Sequence, residues 1–385
     1  MRVGIDICRL TDPKTGVGNY IQNLLNGLAQ VDKETRYLLY PYFWDCFAKP
    51  VRDLRKFVPP QPNFRLHGRH WPEVWIKLWW FGFKVSKERL LGRVDVTHST
   101  NITGPCLRRS RLAVTIHDLS FLREPGWHKP DNVAFSTKAL QEAMKNADAL
   151  IVPSQFTADE LASFYPESAG RVRVVPEAAP AEFGPCRDSA ALEAVRAKYD
   201  IKRPYFLFVG TLEPRKNLAR LIKAFHEFLA SDKGEYELIL AGGVGWKAEG
   251  SLAAIRHLAG QGRVRHLGYV PDEDLPALYQ AAFALVYPSL YEGFGLPVLE
   301  ALACGLPVIT SRASSMAEIG GESALYVDPE DEKQIAAAMS KLAGDPGLHA
   351  KLATAGPDRA SLFSLAEMGR RTLAVYGELA GRPAG

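Results

Sequence analysis

Residues 287–310 read YPSLYEGFGLPVLEALACGLPVIT. An apolar β-rich run over 283–287 ends at Pro288, and a loop follows that holds Glu292, Gly293 and Gly295. A helix comes next, with Pro297 in its first turn, where the missing N–H is no loss, and Gly305 as its stop. A second apolar run, 306–310, follows at once. Strand, turn, helix and strand in that order form a βαβ step, and strands apolar throughout are those buried on both faces of a parallel sheet.

The same grammar extends outward in both directions. Within the second half, strands read at 205–210 (YFLFVG), 236–241, 263–267 and 324–327. In the first half they read at 2–7 (RVGIDI), 37–42, 94–98, 111–116, 149–152 and 171–175. The helix after the first strand places Tyr20, Ile21, Leu24, Leu25 and Leu28 on one face. Between the halves, PEAAPAEFGPC (176–186) has no usable periodicity and reads as a linker. The 385 residues therefore divide into two doubly wound α/β domains, 1–180 and 187–363. A final helical pattern, about 364–385, is placed against the first domain or across both. Ala149–Ser154 and Ala284–Ser289 echo each other as buried strands ending in Pro-Ser, which convergent strand grammar explains equally well.

Composition narrows the class: 47% hydrophobic and 23% charged residues, with 32 Gly and 26 Pro, exclude disorder, collagen and coiled coil. The most apolar stretch, VWIKLWWFGF (74–83), is too short to span a bilayer and carries Lys77. MRVGIDICRL reads as a strand and not as a leader, so a cytoplasmic protein is expected, with any membrane contact peripheral and at the inner face. Five widely spaced cysteines are expected to be reduced. The formal charge of +4 hides an asymmetry, because residues 51–111 hold 13 Lys and Arg against four Asp and Glu. That part of the chain should attract anions.

Ligands of open α/β sheets bind beyond the carboxyl ends of the strands, so the loops there carry the candidates. TLEPRKN (211–217) places Arg215 and Lys216 beside a helix start near Asn217, a setting for phosphate. Glu292 and Glu300 frame a loop whose glycines admit a ligand and whose N–H groups, from Gly293 through Phe294 and Gly295 to Leu296, can grip phosphate or sugar oxygens. A carboxylate early in the helix can accept two vicinal hydroxyls, as a ribose offers. TGVGNY (15–20) suits a diphosphate but lacks the third glycine of the dinucleotide fingerprint and its acidic partner, which disfavours a nicotinamide oxidoreductase. His117 ends an apolar strand. Ser154 is an N-cap by position, and Asp272 and Asp274 read as caps rather than a metal pair.

The string Glu292-Gly-Phe-Gly-Leu-Pro-Val-Leu-Glu300, with TGVGNY, TIHDLSF (115–121), VPSQFTADEL (152–161) and VGTLEPRKN (209–217), strongly resembles the retaining glycosyltransferases of family 4, most closely the bacterial mannosyltransferases of polysaccharide assembly. The resemblance implies a GT-B fold, two Rossmann-like domains facing each other across a cleft, with the donor held mainly by the C-terminal one. It assigns His117, Glu292 and Lys216 to catalysis: Lys216 neutralises the diphosphate leaving group, Glu292 lies beside the donor sugar, and His117 either steadies developing positive charge or orients a hydroxyl. Glu300 binds the ribose, Tyr269 and Val270 lie at the base, and Gly16, Val17 and Gly18 close over the phosphates. Asn19 and Ser154 lie on the acceptor side. Thr211 stands where the family often has Arg, so Arg215 is expected to supply the second positive charge. The donor implied is a nucleotide diphosphate sugar, with GDP-mannose preferred over UDP- or ADP-sugars, and the acceptor a saccharide or lipid-linked saccharide. No cofactor and no metal are implied. A sugar-nucleotide epimerase and a non-catalytic partner of a glycan assembly complex are alternative uses of the same fold.

Four of the seven tryptophans, Trp71, Trp75, Trp79 and Trp80, fall in a basic stretch, 69–93. Trp71, Val74, Trp75, Leu78, Trp79 and Val85 form one apolar stripe at helical spacing, which reads as core. Ile76, Trp80 and Phe83 share the opposite side with Lys84 and Lys87, a pattern that suits an anionic membrane surface, a partner or a dimer contact. No nucleic-acid-binding signature accompanies it.

Overall fold

The apolar runs become the strands of two parallel sheets in a computed structural model that describes residues 1–10, 16–43, 46–47, 51–67, 92–185, 188–231, 235–247, 253 and 263–381. The chain divides into two compact units: Met1–Leu119 with Asp131–Ala178 and Ser364–Gly385, and Ser120–Pro130 with Ala179–Phe363. The basic aromatic stretch lies almost wholly outside the described residues. Among those described, no helix is long and apolar enough to cross a membrane.

In the first unit the strands are β1 (Arg2–Asp6), β2 (Arg36–Tyr40), the short antiparallel pair β3 (Tyr42–Phe43) and β4 (Cys46–Phe47), β5 (Phe64–Leu66), β6 (Val96–Ser99), β7 (Arg111–Thr115), β8 (Ala149–Val152) and β9 (Val172–Val174). The main sheet runs β5-β2-β1-β6-β7-β8-β9, and every pair in it is parallel. β5 escaped the sequence reading because three residues after a Pro-rich stretch carry no period.

The helix Gly16–Val31 buries Tyr20, Ile21, Leu24, Leu25 and Leu28, as its spacing requires. Against it lies the C-terminal helix, Leu365–Ala380, opened by Ser364, whose hydroxyl accepts from Glu367 N at 3.2 Å. The two backbones meet at Gly27 and Gly369, where a Cβ on either residue would overlap the other helix's main chain. Tyr376 reaches from this helix to His98 Nδ1 at 2.7 Å. His98 Nε2 meets Thr115 Oγ1 at 2.8 Å, and that hydroxyl meets Tyr20 OH at 2.9 Å. Burial holds the His98 ring down to a pKa of about 3, so this chain of hydrogen bonds is built on a neutral imidazole. Arg173 adds a paired contact to both carboxylate oxygens of Glu378. The last helix is therefore an integral layer of the first unit.

The second unit contains β10 (Tyr205–Val209), β11 (Glu237–Ala241), β12 (Val264–Gly268), β13 (Ala284–Tyr287), β14 (Val308–Ser311) and β15 (Leu325–Val327). Their order is β12-β11-β10-β13-β14-β15, parallel throughout. Phe206, Phe208, Phe225 and Phe228 are fully buried at its centre. Two helices, Glu332–Gly344 and Pro346–Ser361, occupy the interval before the last helix.

Two sequence expectations, the Asp274 cap and the five reduced cysteines, need correction, whereas the helix expected near Asn217 begins at Leu218: Pro214–Lys216 is a 3-10 turn and Asn217 takes a left-handed conformation at φ 62°. Asn217 can do so because its amide is anchored, donating to Pro288 O at 3.0 Å and Pro329 O at 2.6 Å. Asp274 makes no cap bond; its carboxylate accepts from Lys198 Nζ and Tyr199 OH, each at 2.6 Å. Cys8 is disulfide-bonded, while Cys106 and Cys304 are free, so an odd count did not exclude one pair.

Ser120–Pro130, which follows β7 in the first half of the chain, packs within the second unit. Trp246 Nε1 donates to Trp127 O at 2.8 Å, Lys247 Nζ to Gly126 O at 2.5 Å, and the Trp127 and Tyr291 rings lie 6.3 Å apart. No sequence period announced this excursion.

Candidate active site

In the second sheet the strand order reverses between β10 and β13, which are direct neighbours. The loops leaving their carboxyl ends therefore meet, at the position where open α/β sheets bind ligands. One loop carries Thr211, Arg215 and Lys216, and the other carries Ser289 to Gly295.

Glu292 is the hub. Its Oε1 accepts from Lys216 Nζ at 2.5 Å, Ser289 Oγ at 2.8 Å and Tyr287 OH at 2.9 Å, and its Oε2 accepts from Arg215 at 2.6 Å. Lys216 also donates to Tyr287 OH at 2.5 Å, and Arg215 pairs with Glu213 at 2.8 Å. Lys216 and Glu292 are 7% and 6% exposed, so this is a buried, formally balanced quartet of two cations and two carboxylates. Burial by itself would raise the Glu292 pKa, but Arg215 and then Lys216 bring it down to about 2. Lys216 is drawn below the usual lysine value by burial and by Arg215, against the pull of Glu292 and Glu213. A carboxylate held that far down is a fixed anion, unable to serve as a proton donor or an effective base near neutral pH.

The backbone of the second loop is held by serines that the sequence reading passed over. Glu292 N donates to Ser314 Oγ at 2.9 Å, Ser315 Oγ donates to Glu292 O and Phe294 O, and Ser311 Oγ donates to Ser289 O at 2.7 Å. Ser314 is itself left-handed, at φ 56°. The signal was available in the sequence as polar residues placed directly after the apolar run of β14, where β-strand carboxyl ends gather. Gly295 caps the helix Leu296–Ala303 at φ 108°, a conformation that favours glycine, and its Cα hydrogen faces Met316.

Glu300 lies in that helix, one turn later than expected, 7% exposed, and accepts from Tyr279 OH at 2.8 Å. Glu292, Gly293, Phe294, Gly295, Leu296 and Glu300 thus occupy one loop and helix start, with Arg215 and Lys216 against it. Thr211 is exposed at the end of β10. Tyr269 is 46% exposed beyond β12, whereas the Val270 side chain is part of the core and leaves only its backbone for a ligand.

The other predicted residues belong to the first unit. Gly16 is exposed at its helix start, Gly18 is buried, and Val17 and Asn19 are half-buried. Ser154 is 2% exposed and caps the helix Gln155–Phe164, its hydroxyl accepting from Thr157 N at 3.1 Å. His117 follows β7. Its Nε2 donates to Thr100 O at 2.9 Å, and its Nδ1 lies 3.5 Å from Glu177 Oε1.

Comparison with known proteins agrees with this geometry. Residues 14–183 match the family model described as Glycosyltransferase Family 4, and residues 193–359 match that described as Glycosyl transferases group 1. The chain is 35% identical over 270 residues to O-antigen chain mannosyltransferase B of Escherichia coli, covering 70% of this chain and 71% of that protein. It is 31% identical to the serotype-specific mannosyltransferase WbdA of Escherichia coli over 58% of this chain, but spans only 28% of WbdA. Among solved structures, Anabaena Alr3699/HepE in complex with UDP-glucose superposes with a TM-score of 0.72 at 17% identity, over 98% of this chain and 100% of that one, which supports the GT-B fold. Two parallel-sheet units, a quartet at the switch point of the second, and these matches together show that the chain belongs to the family 4 glycosyltransferases and has the GT-B fold.

Proposed function

We propose that the protein transfers a mannosyl group from GDP-mannose to a hydroxyl of a saccharide or lipid-linked saccharide in polysaccharide assembly, with retention of anomeric configuration. The observation that carries this reading is the buried quartet at the β10–β13 switch point, two cations gathered where a helix also begins. The kinship with O-antigen mannosyltransferase B of Escherichia coli supports the choice of sugar.

In the reaction the bond between the anomeric carbon and the diphosphate oxygen breaks, a bond from the acceptor oxygen to that carbon forms on the same face, and the acceptor proton passes to the departing diphosphate. Negative charge grows on the leaving group. Lys216 and Arg215, held on Glu292 at the strand ends, supply positive charge beside that position, and preorganised cations in a dry site are worth far more than in water. Entry of the diphosphate loosens their hold on Glu292, whose anion then faces the sugar hydroxyls. Glu300 takes the ribose. No metal is assigned a role.

Thermal unfolding with a panel of GDP-, UDP- and ADP-sugars tests the donor. GDP-mannose at a hundred times its Kd should stabilise by about 2.7 kcal/mol. Stabilisation by UDP-glucose instead would move the reading to another donor, and conversion of donor without any acceptor would make the protein an epimerase. Transfer is expected to survive an excess of EDTA unchanged; a loss restored by a divalent cation would sink the metal-free mechanism.

A further inference from the structure

We infer that Glu177 is a positioning residue for His117, holding the ring with a proton on both nitrogens so that it serves as a hydrogen-bond donor and never as a base. The inference rests on the reading of His117 as a residue that meets the sugar.

The protonation of the ring follows from its partners. Thr100 O can only accept, so Nε2, 2.9 Å away, carries a proton. Nδ1 faces the Glu177 carboxyl oxygen at 3.5 Å, an arrangement that favours a proton on Nδ1, because a bare nitrogen lone pair would there confront an oxygen lone pair. At 3.5 Å the contact is long, combining a weak hydrogen bond with Coulombic attraction, and a sugar hydroxyl entering beside it can share the Nδ1 proton. The pair is sheltered, with side chains 19% and 7% exposed, and the edge of the Tyr20 and His117 rings meets at a centroid distance of 4.7 Å and an angle of 85°. Burial lowers the His117 pKa, but Glu177, Thr100 O and Asp118 outweigh it and raise it overall. The other titratable neighbours are His98, whose ring is neutral, and Tyr20, whose phenol burial keeps protonated.

Position along the chain adds to the argument. His117 lies just before the chain leaves the first unit at Leu119, and Glu177 just before it leaves again at Ala178, whose carbonyl is held by Asn23 Nδ2 at 2.7 Å. The ion pair joins the two exits. An imidazolium cannot steady positive charge on a sugar ring, so of the two roles read from the sequence only the orienting of a hydroxyl survives. Removal of the acceptor proton then falls to the departing phosphate.

The experiment is a pH titration of the histidine ring nitrogens by NMR in the full chain, with His117→Gln for assignment, alongside the pH profile of kcat/KM. In Glu177→Gln the His117 pKa should fall by about 1–3 units. Because the protonated ring is the working form, the basic limb of kcat/KM should move to lower pH by the same amount, and Glu177→Asp should restore most of the shift. An unchanged His117 titration in Glu177→Gln, with folding intact by circular dichroism, overturns the pairing. A lowered His117 pKa with an unmoved basic limb overturns the positioning role. The titration needs no donor, so a failure of GDP-mannose to react is separable from a failure of this pairing.

Discussion

Lys216→Ala is expected to slow transfer by about a hundred- to a thousandfold and to destabilise the second unit by about 3 kcal/mol. Both losses have one cause. Lys216 is 7% exposed and donates to Glu292 and Tyr287, so its removal leaves a buried carboxylate with Arg215 as its remaining cation. The sequence placed this lysine in a setting for phosphate; its burial makes it part of the fold as well, and the proposed reading adds contact with the leaving group. The two effects are separated by measuring initial rates at a temperature where circular dichroism shows the variant folded. A variant that is fully folded and turns over within tenfold of the parent would show that Lys216 does not meet the leaving group.

Gly369→Val is expected to cost the first unit about 3 kcal/mol and to lower its melting transition by roughly 5–10 °C. A Cβ there overlaps Gly27 O, and the neighbouring atoms are backbone, which cannot rotate aside as a side chain would. The C-terminal helix must then slide or detach, losing the Tyr376–His98 bond and the Arg173–Glu378 pair. Calorimetry checks this, with the transition of the second unit expected to stay in place. If the melting profile were unchanged, the close approach of the two helices would not exist in solution.

The sheets were legible because their strands are buried on both faces and so are written as unbroken apolar runs; ALIV at Ala149–Val152 is read to the residue. Boundaries drift at ends where one residue belongs equally to strand or loop, as at Val308–Ser311. Short edge elements such as Phe64–Leu66 carry too few residues for any period. The site was legible in its charged members, since Lys216, Arg215 and Glu292 sit where strand ends and glycines point. It was illegible in the groups that hold them. Ser289, Ser314 and Ser315 look like ordinary loop residues until the fold brings Ser314 and Ser315, after β14, against the loop after β13. Glu177 was hidden for the same reason: it lies far from His117 in sequence, inside a stretch read only as a linker.

A crystal structure of the protein soaked with GDP-mannose tests the central claim most directly. The diphosphate is expected at the carboxyl ends of β10 and β13, within hydrogen-bond distance of Lys216 and Arg215, with the ribose hydroxyls on Glu300. Nucleotide density elsewhere, with Lys216 still closed on Glu292, would contradict the account.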